Sequence, residues 1–379
     1  MFHLITGLIG LYVSWRYVWP LPCGLVQRVV MSVVILLMAE HHLITRTFFG
    51  TMASPEVPQG VLILLGWGFG AVLLAAVLML VHDVVGGIGF IVSRPVAQTL
   101  FTAAWPRNGL AVLAMLLAAV GVWSAVRVPE VKTIEITLPR LPQALDGFRL
   151  VQLTDLHASR LLEAPWIAAV VEKTNALDAD LIVISGDLVD GTVTARAADV
   201  APLTQLRAKH GVHAIAGNHE YYVDYRHWLK AFEQMGLPLM NNTHTTIRHN
   251  GAELVLAGVT DSAAERFQLP LPDIDAALAG ADRSNVIILL EHRPKGAAVN
   301  ARAGVDLQLS GHTHGGQVLG MHLLTQLVNG GYVSGGYQVD AMQLYVSNGT
   351  GLWSGFPVRL GRPSEITEII LRSAQEAGR

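Results

Sequence analysis

Hydrophobic and polar positions divide the chain into two regions. The clearest apolar run, Val61 to Val81, carries no charge for 21 residues, enough for a helix about 30 Å long, the thickness of a bilayer's hydrocarbon core. Leu110 to Val126 is shorter, but Arg107 and Arg127 flank it and Trp105 and Trp123 are suited to the two interfaces. Segments 2–19 and 25–43 are also apolar. Arg16 lies inside the first, while Gln27, Arg28, Glu40, His41 and His42 crowd the ends of the second, and snorkelling to the interface is the expected accommodation. The pattern predicts a transmembrane region over 1–128 of about four helices (2–19, 25–43, 61–81 and 110–126), with His82 and Asp83 closing the strongest span.

From Thr133 the pattern changes to short β-rich runs separated by helical stretches, an alternation that predicts an α/β domain with parallel strands. The strands expected are Arg149–Thr154, Leu181–Ser185, His213–Ala216, Val286–Leu290 and Asp306–Ser310. Helices are expected at Pro165–Leu177 and Tyr225–Met235. Residues 129–148 read as a linker and first strand, and 149–379 as the main domain.

Composition sharpens this division. Of 379 residues 51% are hydrophobic and 15% charged, against roughly a quarter charged in ordinary soluble domains. Only nine charged residues fall before position 129, giving that region a formal charge of +3 and the remainder −6. No clustered Lys and Arg surface is present for phosphate tracking, so nucleic acid is not an expected partner. The single cysteine, Cys23, excludes an intrachain disulfide and a thiolate metal site. No Lys or Arg precedes the first apolar stretch, so a cleaved signal peptide is not expected. With four spans, the positive-inside rule places the loops carrying Arg16, Arg28, Arg94 and Arg107 in the cytoplasm and the C-terminal domain on the extracytoplasmic side of a bacterial-type plasma membrane. Arg127, Lys132 and Arg140 argue the other way.

The candidate chemistry lies just after the strands. Asp155-Leu156-His157 follows the first, Gly186-Asp187 the second, Gly217-Asn218-His219-Glu220 the third, Glu291-His292 the fourth, and Gly311-His312-Thr313-His314 the fifth. In an open α/β sheet such C-terminal ends line one crevice, so seven potential ligands from five segments would converge there. Carboxylate, imidazole and amide oxygen without thiolate suit Mn, Fe or Zn in a hydrolytic site. Two ions a few ångströms apart would supply a nucleophile at neutral pH and neutralise a phosphoryl group during in-line attack.

At these residues the chain resembles the calcineurin-like metallophosphoesterase superfamily, whose blocks D-x-H, G-D, G-N-H-[DE], H and G-H-x-H all occur in order between Asp155 and Gln317. The longer forms SGDLVDG, GNHEYY and GHTHGGQ, with the tail Ser347 to Ile366, resemble its membrane-associated YkuE/YaeI-like branch, and the layout is similar to that of the transmembrane proteins with a metallophosphoesterase domain. The resemblance implies a four-layer α/β/β/α sandwich and two divalent transition-metal ions (Mn, Fe or Zn). It implies Asp155, His157 and His314 at one ion, Asn218, His292 and His312 at the other, and Asp187 as a bridging and catalytic residue. His219 would contact the phosphoryl oxygen or protonate the leaving group. Asp261 and Arg359 are looser, substrate-binding candidates.

The implied function is a membrane-anchored phosphoesterase that cleaves phosphate ester or pyrophosphate bonds with metal-activated hydroxide. Relatives that are UDP-2,3-diacylglucosamine pyrophosphatases point to a phospholipid-type or lipid-linked substrate in the bilayer. The alternatives are a phosphodiesterase or phosphatase of soluble nucleotides or phosphoproteins, and a non-catalytic membrane sensor or scaffold, against which the complete ligand set argues. His210, His213, His244, His249 and His322 match no block and are expected to be structural or solvated. Tyr221, Tyr222 and Trp228 are candidates for a cleft wall or for core.

Overall fold

The apolar runs fold as helices. The computed structural model describes residues 1–374, so the last five residues of the expected 149–379 domain lie outside the described region. Helix α1 (Phe2–Val13) runs on through a π-helical turn, Ser14–Val18; α2 (Leu25–Ala39) and α3 (His41–Phe49) meet at a 63° bend; α4 (Gln59–Val92), α5 (Arg94–Thr102) and α6 (Ala104–Val126) follow. Helices α4 and α6 are each long and apolar enough to cross a membrane, and the bent pair α2–α3 makes a third span if it is counted as one. The first expected span, 2–19, is not among these candidates, and the second is broken at Glu40, whose carboxylate accepts from Thr6 Oγ1 at 2.6 Å.

Asp83 does not close its span. Helix α4 continues past it for two further turns of apolar residues and glycine, because the carboxylate is already neutralised: Arg16 Nε donates to Asp83 Oδ2 at 2.7 Å, Arg16 pairs with the other oxygen too, and Tyr12 Oη donates at 2.8 Å. Pairing between helices, rather than the expected snorkelling, accommodates Arg16.

The chain divides into two compact units, Met1–Ala125 with Ser354–Leu360, and Val126–Trp353 with the chain from Gly361 onward. The helical unit therefore includes seven residues that the sequence pattern assigns to the main domain. Glycines make room for them: a Cβ on Gly66 would lie 2.3 Å from Pro357 Cγ, and one on Gly121 would lie 2.6 Å from Val358 Cγ1. Arg359 N donates to Gly121 O at 2.9 Å, the rings of Phe69 and Phe356 meet at 5.6 Å, and His42 Nε2 lies 2.5 Å from Gly355 O. Arg359 is buried here.

The second unit contains two sheets. One has β1 (Glu130–Leu138), β2 (Arg149–Leu153), β3 (Leu181–Ser185), β4 (Val212–Ile215) and β11 (Glu365–Ser373) in the order β1-β11-β2-β3-β4. The other has β5 (Thr243–His249), β6 (Ala252–Gly258), β7 (Val286–Leu290), β8 (Leu307–Ser310), β9 (Gly335–Val339) and β10 (Met342–Val346) in the order β5-β6-β7-β8-β10-β9. Strands β2, β3 and β4 run parallel, as do β6, β7, β8 and β10; β11 is antiparallel to β2.

Five-residue runs such as LIVIS and VIILL are buried on both faces, as strands covered on both sides must be. Alternation sorts them. Leu181, Val183, Ile288 and Leu290 fill the core between the sheets, while Ile182 and Ile184 pack outward with Ile167 and Val170 of α7 (Ala164–Asn175) and Trp228 of the helix Tyr225–Gln234. Ile287 and Leu289 pack outward with Ala277 and Ala297, so the unit is the expected α/β/β/α sandwich. The five strands that lead to candidate ligands are thus shared between two sheets and do not form the single open sheet suggested by strand pattern alone. Gln152 ties the sheets together at their C-terminal ends, donating to Ser185 Oγ at 2.7 Å and to Ser310 O at 3.1 Å.

Candidate metal centre

Each candidate site residue follows the last residues of a parallel strand: Asp155 and His157 after β2, Asp187 after β3, Asn218 and His219 after β4, His292 after β7, His312 and His314 after β8. Leaving the strand so abruptly requires unusual backbone. Asp155, His157, Asp187, His312 and His314 all have φ between +47° and +68°, the left-handed region that Asp and His enter more readily than most residues. Such concentrated strain at one place is characteristic of functional sites. Hydrogen bonds hold the turns, from Asp155 N to Gly186 O at 2.9 Å, His157 N to Asp187 O at 3.0 Å and Gly311 N to His292 O at 3.0 Å.

Among the described residues three groups bring their donor atoms together: Asp155, His157 and His314; His157, Asp187 and His219; and Asp187, His292 and His312. His157 Nε2 lies 3.3 Å from His314 Nε2, His314 Nε2 3.5 Å from Asp155 Oδ1, His157 Nε2 3.7 Å from Asp187 Oδ2, and His292 Nε2 3.2 Å from the same Asp187 oxygen. Bonds of about 2.1 Å to a shared ion put two ligand atoms about 3–3.5 Å apart, so the spacing fits coordination. The Asn218 side-chain oxygen is buried without a hydrogen-bond donor, which suits an atom whose partner is a cation. Glycine permits the close approach: a Cβ on Gly217 would lie 2.2 Å from Asp187 Oδ1, and one on Gly311 would lie 2.3 Å from Asp155 Oδ2. The donor set, its spacing and the orphaned amide oxygen fit a dinuclear centre.

Residues 148–316 match the family Calcineurin-like phosphoesterase. The chain is 34% identical over 292 residues to "Transmembrane protein with metallophosphoesterase domain" of Danio rerio, covering 74% of this chain and 66% of that one. An "Uncharacterized metallophosphoesterase" of Helicobacter pylori is 35% identical over 259 residues, covering 68% of each chain. This chain belongs to the calcineurin-like metallophosphoesterases. "Uncharacterized metallophosphoesterase YkuE" of Bacillus subtilis is 31% identical over 243 residues, covering 62% of this chain and 82% of that one. The chain spans just under two thirds of the Danio rerio relative.

Around this metallophosphoesterase's centre lies a carboxylate that sequence reasoning passed over. Asp190 Oδ1 is 3.2 Å from His157 Nδ1 and 2.5 Å from His219 Nδ1, orienting both rings. Its signal was the second Asp of SGDLVDG. Burial opposes the Asp190 charge, but His219 and His157 outweigh it and bring the pKa down to about 2. Burial likewise opposes a charged His219, and there Asp190 and Asp187 prevail, pushing the imidazole up to about 9. Burial raises the Asp155 pKa, with the Asp187 charge adding to it, whereas Asp187 is held well below the usual range because His292 and His219 outweigh its own desolvation. Glu220 accepts from Leu188 N and Gly217 N, both at 2.7 Å, and so fixes the loops after β3 and β4.

The looser candidates lie outside the three donor groups. Asp261 accepts from Arg293 Nε at 3.1 and 3.0 Å and from Ala263 N at 2.7 Å. Arg359 lies in the helical unit and outside the three donor groups. His210, His213, His244, His249 and His322 are likewise outside those groups; His210 Nε2 meets His249 Nδ1 at 2.9 Å, and His244 Nδ1 donates to Ala277 O at 2.8 Å. Tyr221 and Trp228 are core, while the exposed Tyr222 places its ring 5.5 Å from His219, and Trp353 is at 6.4 Å.

Proposed function

We propose that this protein is an integral membrane, two-metal hydrolase that cleaves a phosphate ester or pyrophosphate bond in a lipid-linked substrate. The observation that carries the reading is the meeting of two largely buried donor groups at Asp187, one including His157 and the other including His292 and His312. In the proposed assignment Asp155, His157 and His314 hold one divalent ion and Asn218, His292 and His312 the other, with Asp187 between them. The bound ions would supply charge neutralisation and an acidified water. The rest falls to the chain. His219, with Nδ1 directed at Asp190, turns its Nε2 to the leaving group and donates the proton from there. Asp190 keeps that tautomer and stabilises the charged ring.

The membrane spans support the substrate class, since anchorage raises the effective concentration of bilayer-borne phosphates at the domain. For orientation, Arg94 lies on the connection between α4 and α6 and Arg107 in the first turn of α6; basic residues at this end of the two spans are the kind retained in the cytoplasm, which favours an extracytoplasmic domain after α6.

The test is metal analysis of chelated and reconstituted full-length protein, coupled to hydrolysis of a mono-ester, a di-ester and a UDP-linked diacyl sugar. Two ions per chain and preferential turnover of the diacyl sugar are expected. A wild type that holds no more metal than Asp187→Ala and cleaves none of the three overturns the reading. Labelling of a single cysteine placed at Gln375 in intact cells, with Cys23 replaced by Ser, tests the orientation; labelling only after lysis would reverse it.

A further inference from the structure

Arg293 follows His292 directly in the chain, and its side chain turns to the other candidate ligand of the same group. Arg293 Nη1 lies 3.0 Å from His312 Nε2, while Nε is held by both oxygens of Asp261 at 3.1 and 3.0 Å. Asp261 is almost fully buried, whereas the Arg293 side chain keeps 26% of its exposure, so the guanidinium has a fixed inner edge and an open outer one.

Arginine can only donate, so in this arrangement His312 Nε2 must accept. A coordinated His312 cannot continue to do so. If Nε2 binds the ion, its lone pair is used; if Nδ1 binds it, the neutral ring carries its proton on Nε2 and becomes a donor there. Whichever nitrogen coordinates, Arg293 Nη1 loses its acceptor at the moment the centre is loaded. Asp261 still holds Nε, which keeps the guanidinium beside the centre with its terminal nitrogens free.

We propose that Arg293 is a substrate-binding residue of this hydrolase, one that releases His312 on metal loading and donates from its terminal nitrogens to a phosphoryl oxygen of the substrate. The proposal rests on the two-metal reading above. A planar, permanently charged fork is the side chain best matched to such an oxygen pair. It also gives Asp261 a part in substrate binding, as the residue that aims the guanidinium.

The test uses full-length protein loaded with Mn, with inorganic phosphate as the probe, and compares wild type, Arg293→Gln and Arg293→Lys. Metal content per chain, phosphate affinity by titration calorimetry, and kcat and KM are measured on each. Expected are unchanged metal content, phosphate affinity weakened about 10- to 100-fold in Arg293→Gln, the size of one charged hydrogen bond lost, partial recovery in Arg293→Lys, and a rise in KM that exceeds the fall in kcat. Phosphate affinity within twofold of wild type in a fully loaded Arg293→Gln overturns the proposal. So does a variant that loses metal while its loaded fraction binds phosphate normally, because Arg293 then only positions His312. A wild type that takes up no metal overturns the two-metal reading and this proposal with it, whereas a loaded, active wild type beside an unaffected variant overturns the role of Arg293 alone.

Discussion

Asp190 Oδ1 stands 2.5 Å from His219 Nδ1, and this pairing decides which imidazole nitrogen is available for chemistry. The same oxygen reaches His157 Nδ1 at 3.2 Å, so one carboxylate sets the tautomer of the proposed acid and of a proposed ligand. Asp190→Asn keeps the shape and removes the charge. Loss of activity of about 10- to 100-fold is expected, as for other residues that orient ligands. The check is kcat with metal content measured in parallel, where kcat should fall by more than loading does. Activity within twofold of wild type would remove Asp190 from the mechanism.

Metal should also be a folding ligand. Asp155 and Asp187 are both buried, with Gly217 and Gly311 set close against their oxygens, and bringing two such carboxylates together favours any cation between them. A ligand at 100 times its dissociation constant stabilises by about 2.7 kcal/mol. For a domain of this size that is a rise on the order of 5–10 °C in Tm. Adding Mn to chelated wild type should produce this shift in a thermal scan, and Asp187→Ala should show little of it. An equal shift in both would place the stabilising ion elsewhere.

How much was legible in the sequence depended on the range of the interaction. The five strands were readable to within about a residue, and with them the candidate ligands that follow, because DLH, GD, GNHE, EH and GHTH each pair a local backbone device with a potential donor. The left-handed backbone at Asp155, His157 and His314 was not readable, since only packed neighbours hold residues there. The extent of α4 was misjudged because the Asp83 partner, Arg16, is 67 residues away. The same limit hid Ser354–Leu360: nothing local in SGFPVRL announces that it packs with the N-terminal helices.

A stability test far from the metals concerns Asp180. Its carboxylate accepts from Arg149 N at 2.8 Å and pairs with Lys209 at 2.9 Å. Burial opposes its charge, but these partners outweigh it and lower the pKa. A lowered folded-state pKa contributes stability that is present above the unfolded value, about 4, and is lost as pH falls through the folded one. Asp180→Asn should therefore reduce Tm at pH 7, and its deficit relative to wild type should shrink as pH drops below about 4. Chelated protein should be used for both, so that metal loss does not enter the comparison. A deficit that is the same at both pH values would rule out the ion pair as its source.

The packing of Ser354–Leu360 gives a prediction within one helix of the membrane region. A Cβ on Gly121 would lie 2.6 Å from Val358 Cγ1 and 3.3 Å from Leu360 Cγ, whereas one on Gly109, also in α6, would meet nothing within 4 Å. Replacing glycine by alanine in a helix interior ordinarily stabilises by about 0.5–1 kcal/mol, and both sites share that gain. Only Gly121→Ala forces a β-branched neighbour to move, and overpacking of this kind costs about 1–3 kcal/mol. Unfolding of the full chain in detergent should show Gly109→Ala at or above wild type and Gly121→Ala below it. Truncating the neighbour, as in Gly121→Ala with Val358→Ala, should recover part of the loss, because the added methyl then occupies the space that the valine vacates. If the two single variants are equally stable, or the double variant is simply the sum of its parts, Val358 does not pack against Gly121.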